Sequence, residues 1–126
     1  MTEILLLLIA FILLIILLPV VIIYMLLKYL LTGKKRMITV WACRTARSID
    51  VFANVEASEL FNDILIKSGG YKFGNKQETI SSVLGKNQVL KTLTKVGNGL
   101  RIILDWIEPN HCLLSINDDL TNTTKQ

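Results

Sequence analysis

The stretch that decides how this chain is organised is Ile4-Leu-Leu-Leu-Leu-Ile-Ala-Phe-Ile-Leu-Leu-Ile-Ile-Leu-Leu-Pro-Val-Val-Ile-Ile-Tyr-Met-Leu-Leu27, which contains neither a charged nor an amide side chain. As a helix rising about 1.5 Å per residue it covers about 36 Å, slightly more than the roughly 30 Å of hydrocarbon in a bilayer. The excess predicts a tilt, or a bend at Pro19. Residues 1–32 are therefore predicted to be a transmembrane anchor.

A cleaved signal or a buried core helix would account for the apolar run less well. A cleaved secretory signal carries positive charge ahead of a shorter apolar core. Here the only charged side chain ahead of the core is the acidic Glu3, and the basic Lys28 follows the core. A buried core helix of a soluble protein would need a larger domain around it than the fewer than a hundred residues that remain. The composition therefore favours a retained anchor.

The formal net charge of +4 is concentrated beside the anchor. Beyond residue 47, eight basic residues face nine acidic ones, so nucleic-acid binding is expected to be non-specific at most. Residues 33–47 are predicted to form a basic juxtamembrane collar and the start of an amphipathic helix. The predicted contacts with lipid headgroups are Lys28, Lys34, Lys35, Arg36, Arg44 and Arg47, each contributing about 1 kcal/mol on an anionic surface.

The same collar predicts the orientation, because basic residues next to a span stay on the side that is not translocated. The N-terminus is predicted to lie outside, and the C-terminal portion in the cytoplasm or in the interior of a virion. A collar that acts only as this topology signal is the alternative to a lipid site.

The chain has few residues that could hold a metal. Cys43 and Cys112 are far apart, and His111 is the one histidine. His111 and Cys112 could supply two ligands, but neighbouring residues do not complete a zinc site. No metal and no cofactor is predicted. Serine, histidine and acidic residues occur without the spacing of a known catalytic motif, so an enzyme is not predicted either.

Residues 48–116 are predicted to form a small bundle of short helices, which makes the fold class all-α. An apolar face at helical spacing covers residues 38–53 and either lies in the headgroup region or packs in the domain; packing is favoured. A short helix over 57–67 and a glycine-rich loop follow. Asn75 is expected to cap a helix over 77–84 that Gly85 ends. An apolar stripe then runs from residue 89 to 107 and stops at Pro109, before a flexible tail over 117–126.

Two blocks of this domain carry a resemblance. They are Gln77-Glu-Thr-Ile-Ser-Ser-Val-Leu-Gly-Lys86 and Leu104-Asp-Trp-Ile-Glu-Pro-Asn-His-Cys-Leu-Leu-Ser-Ile116, with Ser48-Ile-Asp-Val-Phe-Ala-Asn54 and Gly69-Gly70 between the anchor and the first block. Together they resemble a family of short, uncharacterised bacteriophage and prophage proteins with the pattern LDxxxN…GG…DETISSRxGK…DW…PGHCxxS. This chain departs from it at Gln77, where an acid is usual, at Val83, where an arginine is usual, and in a longer spacing before the glycines.

The resemblance implies a phage setting without a reaction. The motif residues Glu78, Thr79, Ser81, Ser82, His111 and Cys112 fall near predicted helix ends, where side chains can satisfy unpaired backbone groups, so structural roles are expected. The favoured function is a single-pass membrane structural protein of a phage. Its expected partners are the lipid bilayer, other phage membrane or capsid proteins, and further copies of itself. A holin-type lysis protein and, less favoured, a membrane-tethered enzyme using His111 and Cys112 are the alternatives.

Overall fold

The computed structural model describes residues 1–116, and its regular structure is helical. The helices are α1 (Thr2–Thr32), α2 (Lys35–Glu56), α3 (Ser58–Ile64), α4 (Ile80–Leu90) and α5 (Lys95–Ile107), followed by a helical stretch over 111–116. Residues 1–116 form no β-strand, and Ile66 and Leu93 make an isolated antiparallel bridge. The all-α prediction with a long N-terminal helix is confirmed. The predicted tail, 117–126, lies outside the described residues.

The chain divides into two compact units, Met1–Arg44 and a unit that begins at Thr45. The first contains α1, the beginning of α2 and the turn that joins them. Gly33 makes this turn in the left-handed conformation (φ 63°), and its N–H donates to the carbonyl of Tyr29 over 2.8 Å. Pro19 lies inside α1, and none of the residues of this helix is buried.

Among the described residues of the second unit, buried polar side chains are as numerous as buried apolar ones. Its buried apolar side chains are Leu65, Ile66, Phe73, Val83, Leu84 and Cys112. Its buried polar ones are Asn54, Glu78, Thr79, Ser81, Ser82 and Asn87. A buried polar group costs free energy unless it is hydrogen-bonded, so this unit depends on its hydrogen bonds as much as on apolar burial.

The start of α4 differs from the sequence-based prediction. Thr79, rather than Asn75, caps it, because Thr79 has extended backbone and its Oγ1 accepts from Ser82 N over 3.1 Å. The Asn75 side chain instead accepts from Gln77 N over 3.0 Å, within the preceding turn.

The predicted end of this helix was also wrong. Gly85 lies inside α4, which continues to Leu90 and ends at Lys91 in the left-handed conformation (φ 58°). Gly85 is needed for packing and not for a helix stop, since a Cβ there would collide with the backbone of Cys112.

The apolar stripe over 89–107 does not form one helix, because residues 91–94 interrupt it. Thr94 N donates to Leu65 O over 3.0 Å, and Lys67 N to Thr92 O over 2.7 Å, so this interruption pairs with the segment after α3. Thr94 then caps α5 through a bond from Gly97 N over 3.1 Å. The predicted stop before Pro109 agrees with the end of α5 at Ile107.

Candidate functional site

The first candidate feature is α1, whose length and composition suffice to cross a membrane. The core helix of a soluble protein would be mostly covered by its own domain, whereas no part of the most apolar window of α1 is buried. The structure therefore gives no support to a soluble core helix. The basic turn that follows α1 is the second candidate feature.

Five of the six predicted headgroup contacts line one cavity of about 770 Å³ in the first unit, which we call the collar cavity. The described residues that line it are Met25, Lys28, Lys34, Lys35, Arg36, Met37, Val40, Trp41 and Arg44. Five of these are basic and none is acidic. Arg47, also predicted as a headgroup contact, is not among them.

The local structure explains why these charges converge. Lys28 lies in the last turns of α1, and its Nζ stands 5.6 Å from the centre of the Tyr24 ring. Gly33, in the left-handed conformation, ends α1 immediately afterwards. Lys35 and Arg36 then open α2, whose first turn contains no acid although a helix N-terminus favours negative charge. The arrangement can attract an anion.

The third feature is a set of hydrogen-bonded side chains in the second unit, here called the polar cluster. Its members are Asp50, Asn54, Tyr71, Glu78, Thr79, Ser81, Lys86 and Asn87. They include three of the six predicted motif residues, together with side chains for which the sequence predicted no role.

Asn54 joins α2 to the loop before α4. Its amide nitrogen donates to Asn75 O over 3.0 Å and to Glu78 O over 2.7 Å, and its oxygen accepts from Gly74 N over 3.2 Å. The side chain is fully buried. All three bonds go to backbone groups, so Asn54 fixes the path of this loop.

Asp50 lies one turn before Asn54 on α2 and binds the start of α4. Its carboxylate accepts from Ile80 N over 3.0 Å and contacts the Ser81 hydroxyl at 3.5 Å. A carboxylate at a helix N-terminus is favoured by the helix dipole, and the Ile80 N–H has no partner within its own helix. Asp50 and Thr79 therefore share the capping of α4.

Asn87, near the C-terminal end of α4, holds the loop at Tyr71. Its oxygen accepts from Tyr71 N over 2.8 Å and from the Thr92 hydroxyl over 2.6 Å, and its nitrogen donates to Tyr71 O over 2.7 Å. A Cβ at Gly70 would stand 2.8 Å from the Asn87 oxygen. A glycine at position 70 is thus what allows the loop to approach Asn87.

Glu78 and Lys86 form an ion pair that Tyr71 completes. The Tyr71 hydroxyl donates to Glu78 over 3.1 Å, and Lys86 Nζ bonds both groups and lies 4.3 Å from the Tyr71 ring centre. Burial by itself lowers the pKa of Lys86, but the hydrogen bonds with Glu78 and Tyr71 and the charge of Glu78 outweigh it and raise the pKa. Lys86 is therefore a firmly protonated structural cation.

His111 and Cys112 have different environments. Cys112 is fully buried, and its N–H donates to Asp105 over 3.3 Å, while Asp105 also pairs with Arg101 at 2.6 Å. Burial, and then the charge of Asp105, raise the pKa of the Cys112 thiol to about 12. His111 is partly exposed and contacts Glu108 at 2.7 Å through Nδ1. The two residues do not form part of a metal site: among the described residues, no three His, Cys, Asp or Glu side chains come together as a metal would require.

The structure thus links blocks that lie far apart in the sequence. Thr79 caps a helix, Glu78 is in an ion pair, and Ser81 contacts Asp50, while Ser82 is buried beside the Thr79 cap. Asp50 and Asn54 were missed as contacts of α4, although their spacing of four residues places them on one helix face. Asn87 gave no signal, because the sequence placed it between the helix predicted over 77–84 and the apolar stripe over 89–107. No family model, curated protein or solved structure matches this chain.

Proposed function

We propose that this chain is a single-pass membrane structural protein of a bacteriophage, held by α1 in the internal membrane of a virion or in the host inner membrane, where it supports assembly or genome delivery. The observation that carries the membrane assignment is α1, a helix of 31 residues with none buried in its own chain. The phage setting rests on the resemblance of the blocks within residues 48–116.

A structural role agrees with how the polar cluster uses its side chains. The side-chain amides of Asn54 and Asn87 bond mainly to backbone groups, and the charge of Glu78 is neutralised by Lys86. The buried Cys112 thiol stays protonated near neutral pH because its pKa is raised. These groups hold loops and helix ends in place, which favours a scaffold over a reaction.

The proposed orientation has the N-terminus outside and the second unit in the cytoplasm or in the virion interior, since the basic residues follow α1. The lipid bilayer is the first partner. Other phage membrane or capsid proteins and further copies of this chain are the proposed protein partners, and nucleic acid is expected to bind without sequence preference at most.

Mass spectrometry of gradient-purified particles tests this function. The chain should be found in particles after external protease treatment, and it should leave them with the lipid when they are extracted with mild detergent. A chain confined to the host membrane during infection should instead be required for particle assembly, measured by particle yield after its gene is deleted. Absence from particles together with normal assembly and normal genome delivery in the deletion would contradict the proposal.

A further inference from the structure

We propose that the collar cavity binds one anionic phospholipid, with the phosphate among its basic side chains and the first part of the acyl chains on its apolar side chains. This inference rests on the proposed function only in requiring that α1 lie in a bilayer. It assigns a defined site to a region that could otherwise act as a diffuse topology signal.

The charge of the cavity calls for an anion. Five of its nine described lining residues are basic, and none is acidic. Lys35 and Arg36 stand at the N-terminus of α2, where the helix dipole is already positive. A phosphate there would offset the mutual repulsion of these groups and the unfavourable dipole interaction together.

The apolar part of the lining distinguishes a lipid from a free phosphate. Met25, Val40 and Trp41 face the same cavity as the basic residues, and so does Met37. An inorganic phosphate or a nucleic-acid backbone would leave this apolar surface uncovered. A phospholipid carries an anionic head and an apolar chain in the same molecule, which is the combination that the lining presents.

Size and position agree with this ligand. The cavity volume of about 770 Å³ falls within the range of roughly 300–1,000 Å³ that small-molecule sites occupy. Met25 and Lys28 lie near the C-terminal end of α1, where an apolar helix that crosses a bilayer would meet the headgroups. Tryptophan at this level is typical of membrane interfaces, and Trp41 is half-buried in the lining.

Native mass spectrometry of the full-length chain in detergent tests the site. The delipidated protein is offered phosphatidylglycerol or phosphatidylcholine at equal concentration. We expect a single phosphatidylglycerol adduct, retained at least tenfold better than phosphatidylcholine. The pair Lys28→Gln and Lys35→Gln should weaken retention about 25-fold, from two basic side chains at about fivefold each. The pair Lys72→Gln and Lys76→Gln changes the net charge equally at exposed positions of the second unit and should retain the lipid normally.

Competition identifies the source of the phosphate. Inorganic phosphate, glycerol phosphate and a short DNA duplex should each fail to displace the lipid at tenfold molar excess. Displacement by inorganic phosphate or glycerol phosphate would show that the cavity binds a free anion. Displacement by DNA would show that its basic residues form a polyanion-binding surface. An equal loss of lipid retention in the two double-lysine variants would mean that the lipid is held by the net charge of the protein and not by this site. Any of these results overturns the proposal.

Fluorescence of Trp41 provides a second measurement with the native lining intact. Trp106 is 85% exposed, so Trp106→Phe leaves Trp41 as the single tryptophan without disturbing the core. In vesicles, head-proximal brominated phosphatidylglycerol at low mole fraction should quench Trp41 more than brominated phosphatidylcholine does. Equal quenching by the two lipids overturns the site. Resistance to alkaline extraction measures insertion of α1 into neutral vesicles, and this insertion should persist even if the lipid site is absent. The measurement therefore separates failure of the site from failure of the membrane assignment.

Discussion

The backbone carbonyl of Cys112 lies against the α-carbon of Gly85, so close that a Cβ on Gly85 would stand less than 3.0 Å from it. This contact joins the centre of α4 to the helical stretch over 111–116, and the obstacle is backbone, which cannot rotate away as a side chain can. It makes glycine at position 85 a packing requirement.

Alanine substitutions at two helical glycines should have opposite effects on stability. Gly85→Ala should lower the free energy of unfolding by about 3 kcal/mol or more, because helix and backbone must separate. Gly99→Ala adds a methyl group where no atom lies within 4 Å, so it should raise stability by about 0.5–1 kcal/mol through its better helix propensity. Urea unfolding of the second unit, followed by circular dichroism in detergent, measures both. A neutral Gly85→Ala would show that the contact can relax.

Removing the Asn54 side chain should lower the free energy of unfolding strongly, although this side chain is polar. Asn54→Ala leaves the Gly74 N–H and the carbonyls of Asn75 and Glu78 without this partner, the Glu78 carbonyl in a buried position, and we expect a loss of about 2–4 kcal/mol. The matched control is Asn98→Ala, which removes only an exposed contact with Arg101 and should change stability by less than about 0.5 kcal/mol. Similar losses in the two variants would mean that the buried bonds add nothing specific.

The two cysteines should differ in reactivity. Cys43 is exposed, whereas Cys112 is buried with its pKa raised to about 12, and the thiolate is the reactive form. Iodoacetamide at pH 8 should therefore modify one thiol in the folded protein and two after denaturation. Mass spectrometry of the peptides identifies the modified residue. Fast modification of Cys112 without unfolding would contradict its burial.

The raised pKa of Cys112 also predicts how stability depends on pH. The unfolded thiol ionises near pH 8.5, while the folded thiol remains protonated until about pH 12. The Cys112 contribution is therefore complete below about pH 8.5 and declines as the pH rises toward 12, by up to about 1.4 kcal/mol per pH unit. Comparing the wild type with Cys112→Ala isolates it: the difference in unfolding free energy should shrink across this interval. A constant difference would refute the shift.

Orientation can be tested through the C-terminal segment. In a Cys43→Ser background, a cysteine introduced at residue 120 should resist an impermeant maleimide in intact cells and react after permeabilisation, because the basic residues follow α1. Glutamine at Lys34, Lys35 and Arg36 together should scramble this result while the protein still requires detergent for extraction. Labelling of the parent in intact cells would reverse the topology, and solubility of the triple variant without detergent would refute the anchor.

Local features of this fold could be predicted from the sequence, whereas the long-range hydrogen bonds of the second unit could not. The apolar run of α1 and the all-helical class follow from composition and periodicity, which are local properties. The end of α5 before Pro109 is local as well. Asn54, in contrast, bonds groups 21 and 24 residues away, and the bond between Asp50 and Ile80 spans 30. A single sequence carries no signal for such partners.

Glycine and asparagine produced the errors for a related reason. Gly85 inside a helix has the same sequence signature as a glycine that ends one, and only the carbonyl of Cys112 distinguishes the two. Asn75 and Thr79 are both good helix caps, and the extended backbone at Thr79 decides between them. The collar cavity was likewise beyond prediction, since the sequence showed a basic segment but not which of its six positive charges converge.

The contact between Gly85 and Cys112 has a consequence for biosynthesis. At roughly 5–20 residues per second, a ribosome needs on the order of 4–16 s to travel from the end of α1 to residue 112. During those seconds α1 is complete while α4 still lacks the backbone against which it packs. In the proposed membrane setting, α1 would therefore enter the bilayer, or be shielded by a chaperone, before the second unit can fold. Any delay at this step would expose the most aggregation-prone segment of the chain while the rest is still unfolded.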